Sequence, residues 1–257
     1  MKRRTFLFSM TAAALPAGAL PLRVLILTGE NHYHEPRPTS LEIRRILEYF
    51  PGIEVRISEE LRGATASTFA PYDVLLLNLS PQDPENSRWG IDTERAFFES
   101  ARKGKGVAIY HYGLGFRPEM NDEYERLCGG TWRPGNGQHS PRHDFRVKLV
   151  AEGHPILRDC PESFPHKSDE LYANLRWHPA AQVQKLATAW DDHALYQGNA
   201  KRAIPGKGLD QPVLWTSQYG AGRVFVTALG HDVEAMQDPY FRLTLRRGIQ
   251  GAAHRLA

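Results

Sequence analysis

His111 stands in GVAIYHYGLG, directly after the apolar run Val107-Ala108-Ile109-Tyr110 and two residues before Gly113. The run reads as a short buried strand, and Gly113 and Gly115 turn the chain at its end. Open α/β sheets bind their ligands at the carboxyl ends of their strands. A strand-to-turn elbow of this kind exposes the nucleophile of many hydrolases. Here no Ser or Cys lies within two positions of His111, so acyl transfer by a local nucleophile is not expected. Imidazole at that place acts as base, acid or metal ligand, or simply as a hydrogen-bonded strand end.

Other residues join it. His32 and His34 follow the first apolar run, LRVLILTGENHYH, and His231 follows the last, GRVFVTALGHD. If those strands lie side by side and parallel, their imidazoles meet at one rim. Gly230 suggests a turn that swings His231 over the sheet, and Asp232 could orient its ring. Asp169-Glu170 precedes a short strand, where alternation lets at most one carboxylate face a site, and Glu170 is the choice. His139 and His143 are four apart in a Gly-rich loop. They could ligate Zn, although off a helix that spacing does not force them to one side. Asn31 and His32 suit a hydroxylated ligand, while Trp89, Trp132 and Trp177 offer flat faces for a sugar ring or ordinary packing.

The elements needed to position these groups are legible as hydrophobic runs. Arg23–Thr28, Asp73–Asn78 and Val107–Tyr110 are continuous and suit buried parallel strands, whereas Ile53–Ile57 alternates as a more exposed strand does. Helical spacing links Leu41 to Phe50, with Thr39 and Ser40 as cap candidates, and Ile91 to Arg102. Alternating strand and helix predicts a doubly wound, mostly parallel α/β sheet built by right-handed crossovers. Residues 117–210, rich in Pro, Gly, His and Trp, read as a loop-rich insertion on the ligand-facing edge. Within it His143–Val150 and Val183–Trp190 are strand candidates. Pro212–Ser217 and Arg223–Leu229 form a hairpin across Tyr219-Gly220-Ala221-Gly222, and a final helix starts near Pro239.

Bulk properties narrow the classes. The 257 residues are 41% hydrophobic and 24% charged with a formal net charge of +3, an ordinary globular composition. The basic residues are scattered and form no stripe with aromatics, so nucleic acid is not an expected partner. Residues 1–19 have the layout of an export signal: Lys2-Arg3-Arg4, a short apolar stretch and Ala17-Gly18-Ala19. The twin arginine points to the route for folded cargo and a periplasmic destination. That stretch is too short to span a bilayer, and residues 20–257 read as a single domain. Cys128 and Cys160 do not by themselves imply a disulfide.

Several segments together resemble a known family. GVAIYHYG, Cys128-Gly129-Gly130-Thr131-Trp132 with His139 downstream, Glu152-Gly153-His154-Pro155-Ile156, Asp169-Glu170-Leu171-Tyr172, Tyr219-Gly220-Ala221-Gly222-Arg223-Val224-Phe225 and Gly230-His231 look like the trehalose-utilisation, or ThuA-like, family. The resemblance runs from about residue 22 to 252. It implies a flavodoxin-like sheet similar to class I glutamine amidotransferases, with His111 where those enzymes carry cysteine, so glutaminase activity is not expected. It also implies a role in bacterial use of trehalose, related disaccharides or keto-sugars. The partners implied are a saccharide, a sugar oxidoreductase or a second copy of the chain. The implied site is His111, His139, Glu170 and His231, with His32 and His143 at the rim.

Two functions follow as expectations. In the first, His111, Glu170 and His231 carry acid/base chemistry on a saccharide bound by Asn31, His32 and Trp132, alone or with a divalent metal such as Zn held among His111, His139, His143 and His231. In the second, the chain is a non-catalytic sugar- or partner-binding module on the same shell. A hydrolase using Ser140 or Ser168 ranks below both, since no elbow motif surrounds either serine.

Overall fold

The computed structural model describes residues 20–29, 33–49, 51–79, 90–115, 121–133, 135, 137–196 and 208–256. The export-signal residues, Asn31, His32 and Trp89 lie outside them. The frame is set by β1 (Leu22–Thr28), β2 (Ile53–Ser58), β3 (Val74–Asn78) and β4 (Gly106–Tyr110). The short pieces β5 (Gly130–Thr131) and β6 (Gln138–His139) follow, then β7 (His143–Leu149), β8 (Ser163–Asp169), β9 (Tyr172–Ala173) and β10 (Arg176–Trp177). Last come β11 (Gln182–Trp190), β12 (Asp210–Tyr219) and β13 (Gly222–Thr227).

Nine of these strands form one sheet in the order β2-β1-β3-β4-β13-β12-β11-β7-β8. From β2 to β13 every pairing is parallel. Counting β13 as the fifth parallel strand gives 2-1-3-4-5, the flavodoxin order. Beyond β13 the pairings are antiparallel. This sharpens the expectation of a loop-rich insertion, in which His143–Val150 and Val183–Trp190 are already strand candidates. Residues 143–190 contribute β7, β8 and β11 to the main sheet, because alternating runs such as His143–Leu149 need only one covered face. Two-stranded pieces, β10 with β5 and β6 with β9, lie outside the main sheet.

Strand alternation sorts the core into two layers. Val24, Ile26, Leu76 and Ala108 pack with α1 (Pro36–Glu48) and the last helix, which contribute Ile43, Leu47, Phe241 and Leu245. Their neighbours Leu25, Leu27, Leu75, Leu77 and Ile109 face the other way. There α2 (Ala66–Phe69), α3 (Ile91–Arg102) and α4 (Asn121–Cys128) supply Phe69, Phe97, Phe98 and Leu127. The last helix, α5, spans Pro239–Ala252 and is capped by Asp238, which accepts the N–H groups of Tyr240 and Phe241.

Helix α1 begins earlier than the Thr39-Ser40 pair suggested. Pro36 occupies its first turn, where a missing N–H costs nothing. The Thr39 and Ser40 hydroxyls instead receive the Asn78 side-chain amide, at 3.0 and 2.9 Å. Both cysteines are free thiols, and among the described residues no helix is long and apolar enough to cross a membrane.

Candidate functional site

Strand β4 ends in the elbow expected of it. His111 opens a short 3-10 turn with φ +35°, a left-handed conformation that strains any residue with a Cβ. Gly113 makes the turn possible, since a side chain there would strike the Leu77 carbonyl at 2.9 Å. The His111 side chain is completely buried. Its Nδ1 lies 2.7 Å from the carbonyl oxygen of Ala228, just past β13. A carbonyl can only accept, so Nδ1 carries the proton and Nε2 keeps its lone pair. That Nε2 is buried without a hydrogen-bond partner among the described residues. Burial pushes the imidazole below its usual pKa and keeps it neutral.

Gly230, at φ +105°, turns the chain after β13. An added Cβ would fall on the Tyr110 ring and hydroxyl, and that hydroxyl donates to the Gly230 carbonyl. The turn is fixed by Asp169, whose carboxylate accepts the N–H of Gly230 at 2.7 Å and of His231 at 2.9 Å. Asp169 also holds His166 Nε2 at 2.7 Å, both side chains being fully buried. As alternation predicted, the next carboxylate goes elsewhere. Glu170 Oε2 lies 3.1 Å from His231 Nδ1, and its Oε1 lies 3.4 Å from His139 Nδ1.

Electrostatics tie these groups together. Burial opposes ionisation of Glu170, but contact with His231, and after it the field of His139, hold its carboxyl below the usual value. Burial likewise opposes charge on His231, yet Glu170 and the neighbouring aspartates lift its imidazole above the ordinary range.

The third imidazole is His34, and with His32 undescribed it is the one the loop after β1 delivers. Its ring stacks on Tyr112 at 4.0 Å. It lies 5.1 Å from the His111 ring and 4.6 Å from that of His231, centre to centre. Burial first, then His111 and His231, push its pKa down to about 2. The Tyr172 hydroxyl stands 3.4 Å from its Nε2, and the Tyr172 ring is 4.4 Å from that of His111. One donor atom each from His34, His111, Glu170 and His231 can be chosen so that all four lie within 4.8 Å of one another. A cavity of about 370 Å³ opens over this group, with His34, His231 and Glu170 in its wall beside Trp132, Tyr112 and Tyr33. His111 lies behind that wall.

Several expected participants stand elsewhere. His143 Nδ1 lies 3.1 Å from Ser140 Oγ and 2.9 Å from the Pro141 carbonyl, and it is not part of the donor cluster. The bend through Pro141 separates it from His139, so their spacing in sequence does not make a pair. His139 Nδ1 lies 3.1 Å from the Ser140 carbonyl oxygen as well as 3.4 Å from Glu170 Oε1, and it too is outside the donor cluster. Asp232 turns to Arg142, leaving the His231 ring to Glu170. Trp177 packs edge-on against Trp215 in the core, whereas Trp132 lines the cavity, its buried Nε1 without a partner among the described residues. Ser140 Oγ accepts the Leu171 N–H, and neither it nor Ser168 lines the cavity.

Residues 23–252 match the family model described as ThuA, trehalose utilisation. The chain belongs to the ThuA family. A ThuA-like protein of known structure from Parabacteroides merdae is 26% identical, with a TM-score of 0.76 and 92% of each chain covered. A second, from Bacteroides uniformis, is 19% identical with a TM-score of 0.69, covering 92% of this chain and 93% of that one. A GH42 β-galactosidase from G. stearothermophilus shares the fold alone, at 15% identity and a TM-score of 0.53, over 90% of this chain but 30% of the enzyme. Curated proteins give no match. In this ThuA chain, sequence reasoning placed His34 at the rim without choosing it as a site residue, and it missed Tyr112 and Tyr172. The NHYH segment signalled His34 only as one of two histidines.

Proposed function

We propose that this chain is an enzyme of bacterial carbohydrate metabolism that acts on a disaccharide of the trehalose class, or its oxidised keto form, in the cavity beneath Trp132. One observation carries the reading: Glu170 lies in the cavity wall between His139 and His231, at 3.4 and 3.1 Å. A carboxylate and an imidazole in contact can pass a proton to or from a substrate oxygen. Aromatic faces at Tyr112 and Trp132 suit the apolar faces of a sugar ring. The cavity, about 370 Å³, is within the range of small-ligand sites. The family's description as trehalose utilisation supports the substrate class. The twin-arginine layout of residues 1–19 supports export, so that the work is done outside the cytoplasm.

The test is a mass-spectrometric screen of purified protein against plain and oxidised disaccharides, with Glu170→Gln beside wild type. Wild type should convert at least one of them, and the variant should lose about 100-fold or more in kcat with an unchanged circular-dichroism spectrum. Equal turnover by the variant overturns the role of Glu170. Saturable binding without turnover by wild type identifies a binding module instead.

A further inference from the structure

We infer that His34, His111, Glu170 and His231 form a mononuclear site for a first-row transition-metal dication of the zinc class, with its open side toward the cavity. As a cofactor for the chemistry above it rests on that reading; as a binding site it stands or falls on metal uptake alone.

The geometry comes first. A nitrogen bound at about 2.1 Å puts an imidazole centre roughly 3.2 Å from the ion, so tetrahedral placement separates ring centres by about 5.2 Å. The three pairs here are 5.1, 4.6 and 5.6 Å apart. The planes are inclined by 58, 55 and 88°, as rings radiating from a point are, so these rings are not stacked on each other. Ligand atoms of such an ion sit about 3.4 Å apart. His231 Nδ1 and Glu170 Oε2 are 3.1 Å apart, yet that nitrogen makes no directed hydrogen bond. The widest separation within the cluster, 4.8 Å, closes to that spacing by side-chain rotation of about 1.4 Å or less.

The second observation concerns His111. Its Nδ1–H is given to the Ala228 carbonyl at 2.7 Å, the outer bond that usually fixes the tautomer and ring of a metal-ligating histidine. The lone pair left on Nε2 is buried and unpartnered, a loss that a folded protein rarely tolerates without a use. His111 is shut behind the cavity wall and cannot itself touch a sugar, so a role in proton transfer to substrate does not account for it. Coordination does. Asp169 completes the arrangement by holding the His231 backbone while adjoining Glu170.

The donor set chooses the ion. Three nitrogens and one carboxylate suit zinc, cobalt or iron, whereas magnesium and calcium take oxygen cages. A cation held there would supply Lewis-acid polarisation of a substrate oxygen accepted from the cavity side as a fifth ligand.

The experiment treats the full chain with a chelator, dialyses it, and returns Zn²⁺, Co²⁺ or Mg²⁺ for elemental analysis and visible spectroscopy. About one equivalent of zinc or cobalt should bind, cobalt with an intense visible band, and magnesium should not be retained. His34→Gln, a change in a half-buried loop that spares the core, should weaken affinity by at least about 100-fold. His143→Gln should bind as wild type. Uptake below about 0.1 equivalent by wild type, or unweakened binding by His34→Gln, overturns the site. If stripped protein converts saccharide at the full rate, the metal's role is refuted and the enzyme reading survives. If metal binds tightly and no saccharide is converted, the metal site stands and the enzyme reading fails.

Discussion

Asp169 accepts the backbone N–H of His231 at 2.9 Å through Oδ1, which makes the end of β8 the anchor of the turn after β13. The same carboxylate takes the Gly230 N–H and the His166 ring. Glu170, one residue on, touches the His231 side chain. Backbone and ring of His231 are thus gripped by consecutive residues. These strand ends are far apart in the nine-stranded order, and Asp169 joins them where the cavity opens.

Asp169→Asn should therefore cost stability as well as function. Removing a buried charged acceptor costs about 1–3 kcal/mol or more, because the His166 ring and two backbone N–H groups lose it. A urea unfolding curve should show a lower midpoint with an unchanged slope. An unshifted midpoint would mean that Asp169 is dispensable to the fold.

Acid should act through the same residue in chelator-treated protein. Burial opposes ionisation of Asp169, but the His166 contact, the fields of His111 and His166 and the Gly230 N–H bring its pKa down to about 2. An unfolded aspartate titrates near 3.9. A depressed folded pKa contributes stability that is whole above about pH 4 and is lost as the pH falls toward 2. Wild type should lose urea resistance across that interval, and Asp169→Asn should show a flatter profile there.

The parallel frame and the convergence of His111 and His231 at its carboxyl ends were legible because the strands are continuous apolar runs, with His111 at the end of one and His231 a short turn past another. Alternation also separated Asp169 from Glu170. What was not legible lies in loops, which have no period to read. NHYH offered two imidazoles with nothing to choose between them, and only His34 is seen to reach His111. The spacing of His139 and His143 suggested a pair that the bend at Pro141 undoes. Asp232, adjacent in sequence to His231, is drawn off by Arg142, a residue 90 positions away. Alternation did show β7 and β11 as strands, whereas β8, with Phe164 as its one large apolar side chain among Ser, Pro, His, Lys and Asp, carries too weak a pattern to read.

Trp132 should govern affinity more than rate. Its ring lines the cavity, whereas its Nε1 is buried out of reach of solvent, so the ring face is what a sugar meets. Trp132→Leu removes that stacking face and keeps an apolar side chain, a loss of about 1 kcal/mol. KM for the saccharide found by screening should rise roughly fivefold with kcat nearly unchanged, the pattern of an interaction made equally in ground and transition states. A fall in kcat at constant KM would place Trp132 in the chemical step instead.

Gly230→Ala should damage stability and site together. The residue sits at φ +105°, which costs a side-chain-bearing residue about 1–2 kcal/mol. The new methyl would also press on Tyr110, adding about 1–3 kcal/mol of overpacking. The backbone can relieve that pressure only by moving away from β4, which carries His231 away from His111. Thermal unfolding should drop by several degrees, and activity should fall further than stability explains. Tyr110→Phe is the control, since it removes the hydroxyl bound to the Gly230 carbonyl and keeps the ring. It should cost about 1 kcal/mol and leave the turn in place. In Gly230→Ala/Tyr110→Ala the clash is gone and the φ strain remains. Recovery of activity in that double variant would assign the defect to crowding, while continued loss would assign it to the backbone turn that delivers His231.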